Sequence, residues 1–186
     1  MSGQHALEVV IRPAAPGDLP LLHERFPDGP PEKHAERLAA QQAGKAVYLV
    51  AWSCDQPVGH CLLKWEALTE KPLIAERLQK CSEIEDLFVH PDLRSQGIGL
   101  QLLRAAEQEA AHRGYERMGL GVSIDNPRAK SLYDRHGYRD AGFGEHRIGG
   151  TYVDEKGCSR TWQETCIYLV RDLPRAAPLT GSDEAE

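Results

Sequence analysis

The stretch LFVHPDLRSQGIGLQLLRAAEQEAAHRG, Leu87 to Gly114, joins an apolar run to an Arg- and Gly-rich turn and then to a long helical pattern. In the turn, RSQGIG (Arg94 to Gly99), two glycines lie where a strand gives way to a helix. Glycine lets the backbone take φ > 0 and lets a ligand approach with no Cβ in the way. The backbone amides around Ser95, Gln96, Gly97, Ile98, Gly99 and Leu100 can therefore converge at the positive end of the helix, a concavity suited to a phosphate or pyrophosphate. Arg94 adds a formal charge. The alternative is a turn that only starts a helix. Two other phosphate motifs fail on spacing. The dinucleotide fingerprint needs a third glycine where Leu102 stands, and no G-x-x-x-x-G-K-[ST] sequence is present.

Outward from this turn the pattern alternates strands and helices. LEVVIRPA (Leu7 to Ala14) reads as a strand, Pro16 to Phe26 as a helix capped around Gly17 and Asp18, and the next segment as a helix from Pro31 to Gly44. AVYLVAWSCD and QPVGHCLLKWEA form a hairpin with its turn near Asp55, Gln56 and Pro57; Thr69 to Lys80 is ambiguous. SEIEDLFV is a strand. The helix after it carries Leu103, Ala106 and Ala110 at i, i+3 and i+7. RMGLGVSI is a strand, NPRAKSLYDRHG a helix closed by Gly137, and two β segments follow, around Tyr138 to Phe143 and in TWQETCIYLVRDL. The order β-α-α-β-β-β-α-β-α-β-β predicts one α/β domain over residues 7–173, with a mixed central sheet and helices on both faces. Residues 174–186 read as a disordered tail.

Composition narrows the function classes. With 186 residues the chain is the size of one domain able to bury its own core, and it holds no internal repeat. No apolar run approaches the roughly 20 residues a membrane span needs, and the N-terminus lacks the pattern of a secretion signal, so the expected location is cytoplasmic. Five cysteines without a C-x-x-C pair argue against a disulfide framework and against a metal site. They read as reduced thiols in or near the core. A net charge of −6 argues against nucleic-acid binding and suits a cationic partner.

L-F-V-x-P-x-x-R-x-x-G-x-G, followed by a helix, a strand and NPRAKSLYDRHGY (Asn126 to Tyr138), resembles the GCN5-related N-acetyltransferase superfamily, GNAT. The resemblance covers about Ser82 to Phe143 and implies acetyl-CoA as co-substrate. Arg94, Gly97 and Gly99 match the family's pyrophosphate loop. The strands SEIEDLFV and RMGLGVSI are expected to splay, so that backbone groups of Leu87, Phe88 and Val89 bind the pantetheine arm as an added strand would. Asn126 is expected to cap its helix, with Pro127 at the first position, and to bond pantetheine.

Acetyl transfer to an amine needs a neutral nucleophile, yet a lysine-like amine of pKa near 10.4 is about one part in a few thousand neutral at pH 7. A base or a water relay follows. Glu83 and Glu85 alternate onto one strand face with Asp86 opposite, unless a bulge intervenes. Glu85 matches the acid of polyamine-type members and is preferred; Glu83 is similar in placement to the base of histone-type members. Tyr133 is the candidate acid for the departing thiolate, its alternative being a core tyrosine. His90 and His136 read as turn and helix-end residues, and Trp52, Trp65 and Trp162 as core or wall. Arg12, Arg128 and Arg135 reach either phosphate or solvent.

The expected function is transfer of acetyl to a primary amine of a small molecule or a protein, in a direct ternary complex, by a monomer or homodimer. The alternative is a CoA-binding regulatory or sensor domain of the same fold with little turnover. Acceptor choice is expected to lie in Gly17 to Gln42, Glu66 to Lys80 and the loop Phe143 to Trp162.

Overall fold

The computed structural model describes residues 8–67 and 76–174. The expectations for Leu7, for most of Thr69 to Lys80 and for the tail beyond Pro174 lie outside the described residues. In chain order the elements are β1 (Val10–Pro13), α1 (Leu19–Arg25), α2 (Lys33–Gln42), β2 (Ala46–Ser53), β3 (Gln56–Lys64) and β4 (Cys81–Val89). Then come α3 (Ile98–His112), β5 (Arg117–Ser123), α4 (Pro127–Arg135), β6 (Arg139–Asp140), β7 (His146–Val153) and β8 (Ser159–Asp172).

Local chemistry explains most boundaries. The β2–β3 turn is made by Cys54 and Asp55, both left-handed (φ 48° and 61°), which matches the twist of the flanking strands. Asp18 accepts the Ala15 amide at 2.7 Å and is paired with Arg12, closing the entry to α1. Helix α2 starts at Lys33, two residues past Pro31, which the chain uses in the preceding turn. Leu103, Ala106 and Ala110, picked out by their spacing, are all fully buried.

The sheet runs β1-β2-β3-β4-β5-β8-β6, with β7 hydrogen-bonded to β8. Every neighbouring pair is antiparallel except β4 and β5, which are parallel and joined through α3. One apolar cluster packs α3 and α4 against one face, through Leu102, Ala106 and Tyr133 with Leu49, Ile84 and Leu120. A second packs α1 and α2 on the other, through Leu22, Phe26 and Leu38 with Tyr48, Val50 and Leu62. Mixed sheet and two covered faces are as the sequence predicts. Strand β7 is not: residues read as loop form a hairpin with β8, its turn at Asp154–Gly157, where Gly157 has φ 76°. No helix among the described residues is long and apolar enough to cross a membrane.

Tyr168 of β8 leans across β5 at Gly119, where a Cβ would lie 2.2 Å from its hydroxyl and 2.6 Å from its ring. Any side chain there displaces the ring. We expect Gly119→Ala to cost about 1–3 kcal/mol, the usual range for overpacking, measured by urea unfolding. An unchanged midpoint would show that the crossing needs no glycine.

Candidate active site

The site begins with an irregularity in β4. Its pairing with β3 runs Gly59↔Val89 and His60↔Phe88, then resumes at Leu62↔Glu85, so β4 carries an extra residue. Asp86 takes φ 47° there, a left-handed conformation costly to a residue with a side chain. Its carboxylate pairs with Arg37 of α2 at 2.6 Å. Burial acts against the charged form, but the charge and hydrogen bond of Arg37, together with the nearby His60 and Lys33, outweigh it and hold the carboxyl below its ordinary range. This corrects the simple alternation: Asp86 turns to the face that already carries Glu83 and Glu85.

Beneath the bulge lies an aromatic floor that the sequence reading did not single out. His60 stacks on Phe88 at 5.6 Å and meets Phe26 edge-on at 4.8 Å. His34 joins the Tyr48 hydroxyl through Nδ1 at 2.7 Å and the Phe26 carbonyl through Nε2 at 3.0 Å. Burial pushes the His34 imidazole down to about 4 and that of His60 to about 3, so both are neutral at physiological pH.

Beyond the bulge, β4 leaves β5. Parallel pairing covers only Cys81↔Arg117 to Ile84↔Leu120. From Glu85 onward β4 has no β5 partner, and the backbone of Leu87, Phe88 and Val89 faces a slot. Two open clefts lie elsewhere: one of about 510 Å³ beside Trp65, Arg113 and Tyr115, another of about 560 Å³ beside Arg12 and Trp52. The slot is the fork left where the pairing of β4 and β5 ends.

The Arg94–Gly99 turn stands at its mouth. Ser95 and Gly97 are both left-handed (φ 68° and 83°), and Gly97 is the N-cap of α3 without any side-chain cap. The amides at the start of α3 are thus available to an anion. A Cβ at Gly97 would meet nothing within 4 Å, so backbone conformation, not crowding, requires glycine there. Arg94 donates through Nε to the Val89 carbonyl at 3.1 Å and lies over the Phe88 ring. Arg128 of α4 donates to the Ser95 hydroxyl, tying α4 to the turn. Arg12 is paired with Asp18, and Arg135 bonds the Ser131 carbonyl, so of the three arginines left open Arg128 is the one at the turn. Two guanidinium groups, a left-handed turn and a helix start fit the diphosphate of acetyl-CoA.

Asn126 caps α4, its Oδ1 accepting the Ala129 amide at 3.0 Å, with Pro127 at the first position. Tyr133, two turns in, is 7% exposed, edge-on to Tyr138, and forms no hydrogen bond through its hydroxyl among the described residues. Burial pushes its phenol up to about 12, so it keeps its proton. Glu85 is half-exposed and paired with Lys64 at 2.7 Å; Glu83 is buried and accepts from the Tyr168 hydroxyl at 2.9 Å. Tyr168 was missed because no local signal links it to Glu83. Strand β7 did carry one: Thr151-Tyr152-Val153 followed by Asp154 to Gly157 is a strand running into a turn. His90 and His136 stand at the start of a 3₁₀ turn and at the end of α4, as expected. No cluster of potential metal ligands occurs among the described residues.

The family model described as "Acetyltransferase (GNAT) family" matches residues 18–138. An uncharacterized N-acetyltransferase of Methanocaldococcus jannaschii is 34% identical over 97 residues, 52% of this chain and 36% of that protein. Aminoalkylphosphonate N-acetyltransferase of Salmonella typhimurium is 43% identical over 61 residues, 33% of this chain and 40% of that protein. The chain thus spans well under two thirds of either relative. Among solved structures, an N-acetyltransferase from Staphylococcus aureus Mu50 superposes with TM-score 0.68 at 18% identity, over 90% of this chain and 99% of the other. The PaiA N-acetyltransferase of Thermoplasma acidophilum in complex with coenzyme A gives 0.62 at 16%, over 89% and 99%. These two show a shared fold.

A β-branched residue resists the left-handed conformation of Gly97 by roughly 1–2 kcal/mol. Gly97→Val should therefore weaken acetyl-CoA binding about tenfold or more by calorimetry while circular dichroism stays unchanged. Wild-type affinity would remove the anion-site reading.

Proposed function

The chain belongs to the GNAT acetyltransferase family, and from that premise we propose that it transfers the acetyl group of acetyl-CoA to a primary amine within one ternary complex. The observation that carries the proposal is the fork at Ile84 and Leu120, with an anion-binding turn at its mouth and ionisable groups on the adjoining face. The amides of Gln96 to Leu100, with Arg94 and Arg128, hold the diphosphate. Leu87, Phe88 and Val89 bond the pantetheine arm through their backbone, as an added strand would, and Asn126 approaches it from the start of α4.

The neutral amine attacks the thioester carbonyl carbon; the carbon–sulfur bond then breaks and the acetyl group remains on nitrogen. Tyr133 supplies a proton to the departing thiolate. Its burial supports this role, because a phenol held near 12 arrives protonated and transfers only when a strong base forms beside it. The ammonium proton leaves to a β4 carboxylate, Glu85 or Glu83, directly or through water. The acceptor is a small-molecule or protein amine, and the enzyme works in the cytoplasm, where its five free cysteines stay reduced, as a monomer or homodimer. A CoA sensor with little turnover is the other reading; no feature of the site favours it.

Tyr133→Phe keeps the ring and its packing. Acetyl-CoA affinity and thermal stability should change little, while kcat, followed as CoA thiol release with an accepted amine, should fall by about 10²–10⁴-fold. Near wild-type kcat with chemistry rate-limiting would return Tyr133 to the core.

A further inference from the structure

Helix α4 is fastened at both ends, and Tyr133 is the one residue along it that is buried; Pro127, Arg128, Ser131 and Arg135 are exposed. At its start Arg128 bonds Ser95 of the anion-binding turn. Past its end the chain turns at Gly137, φ 86°, and sends Tyr138 fully into the core. Tyr138 holds Tyr133 in two ways. Its amide donates to the Tyr133 carbonyl at 3.1 Å, and its ring meets the Tyr133 ring edge-on with centroids 5.7 Å apart. The Tyr138 hydroxyl donates to Oε1 of Glu107 on α3 at 3.0 Å, and Arg171 of β8 donates to the same oxygen through Nη1 at 2.7 Å. Tyr133 has no comparable fixture of its own, since its hydroxyl forms no hydrogen bond among the described residues; packing of its ring decides where the phenol points. Helix α3 therefore serves both ends of the cofactor site. Its first amides face the anion-binding turn, and Glu107, nine residues past Ile98 and so roughly 14 Å along the axis, holds the tyrosine pair.

We propose that Tyr138 is a positioning residue which, held by Glu107 and Arg171, sets the Tyr133 phenol at a fixed place relative to the diphosphate turn. This rests on the acetyl-transfer reading above, in which Tyr133 is the acid. An acid must stand within hydrogen-bond reach of the atom it protonates, and a shift of about 1 Å is enough to slow the step severely. A helix with one buried side chain is poorly fixed against such a shift by apolar packing alone. The buried Glu107 carboxylate supplies a rigid point, because Arg171 from the sheet and Tyr138 from the end of α4 both point at one of its oxygens. Tyr138 transfers no proton itself. Burial, reinforced by the Glu107 charge and hydrogen bond, raises its pKa well above the ordinary phenol value, so it acts only as donor to Glu107.

Tyr138→Phe removes one hydroxyl and keeps the ring. In protein labelled with carbon-13 at the tyrosine ζ position, the Tyr133 signal, assigned with Tyr133→Phe, should shift and broaden in Tyr138→Phe. That arm needs no acceptor. In thiol-release assays with spermidine, lysine methyl ester and 2-aminoethylphosphonate, Tyr138→Phe should lower kcat about tenfold, with acetyl-CoA affinity by calorimetry unchanged. The loss should vanish on a Tyr133→Phe background, because Tyr138 acts through Tyr133, whereas a general loosening of the fold would slow both backgrounds alike. Glu107→Leu should lose as much as Tyr138→Phe, and Glu107→Gln, which keeps an oxygen for the phenol, should recover most of that loss. A Tyr138→Phe loss that persists on the Tyr133→Phe background, or an unmoved Tyr133 signal, overturns the positioning role. Wild-type kcat in Tyr133→Phe overturns the acid assignment beneath it. Wild type that binds acetyl-CoA but releases no CoA with any of the amines sinks the transferase reading instead, and the Tyr133 signal then decides the positioning on its own.

Discussion

The bulge at Asp86 is the constraint on which the rest of the site depends, because a regular β4 would stay paired with β5 along its length and leave no slot. Inserting one residue into a strand bends it and strengthens its twist, and β4 parts from β5 within two residues of the insertion. A left-handed aspartate is unfavourable on its own. What holds it is tertiary: the Arg37 ion pair from α2 and the floor of His60, Phe88, Phe26 and Tyr48 beneath. Strain at one residue is thus sustained by contacts from α2, the β2–β3 hairpin and the end of α1, a distribution common at functional sites.

The fork also divides the labour between backbone and side chains. Toward α3 and α4, the groups that would meet acetyl-CoA are mostly main-chain: the edge of β4, the amides at the start of α3, and the left-handed turn between them. Arg128 couples α4 to the turn by bonding Ser95, and Asn126 caps the helix that carries Tyr133. Opposite, toward α1 and α2, the face carries charged side chains: Glu83, Glu85, Asp86, Arg37 and Lys64.

That division explains what the sequence could and could not disclose. A backbone cradle demands glycine at fixed spacing, so Gly97 and Gly99 after Arg94 were legible, as were the Asn126–Pro127 cap and the buried stripe of α3. Period-2 alternation placed Glu83 and Glu85 together but put Asp86 on the wrong side, because a bulge is decided by pairing with β3 and by Arg37, 49 residues away. Tyr168 lies 85 residues from Glu83, and nothing local marks two such residues as partners. The β7 strand was marked at its end, by Thr151 to Val153 before the turn, but not along its length. Gly149 and Gly150 weaken any strand propensity, yet both are needed: a Cβ at Gly149 would lie 2.6 Å from the Trp162 carbonyl, and one at Gly150 would press on the Trp162 indole.

The same asymmetry bears on acceptor choice. Main-chain recognition tolerates wide changes of side chain, so a cofactor half built that way constrains few positions and can persist among proteins with different amines to acetylate. The acceptor half has no such freedom: each of its charges is fixed by a partner on another element, as Glu85 is by Lys64 and Asp86 by Arg37. Altering Asp86 leaves the largely buried Arg37 guanidinium without its ion pair, which is costly. Specificity on this scaffold therefore changes by exchanging pairs, or by reshaping segments outside these pairs, such as the exposed faces of the β7–β8 hairpin.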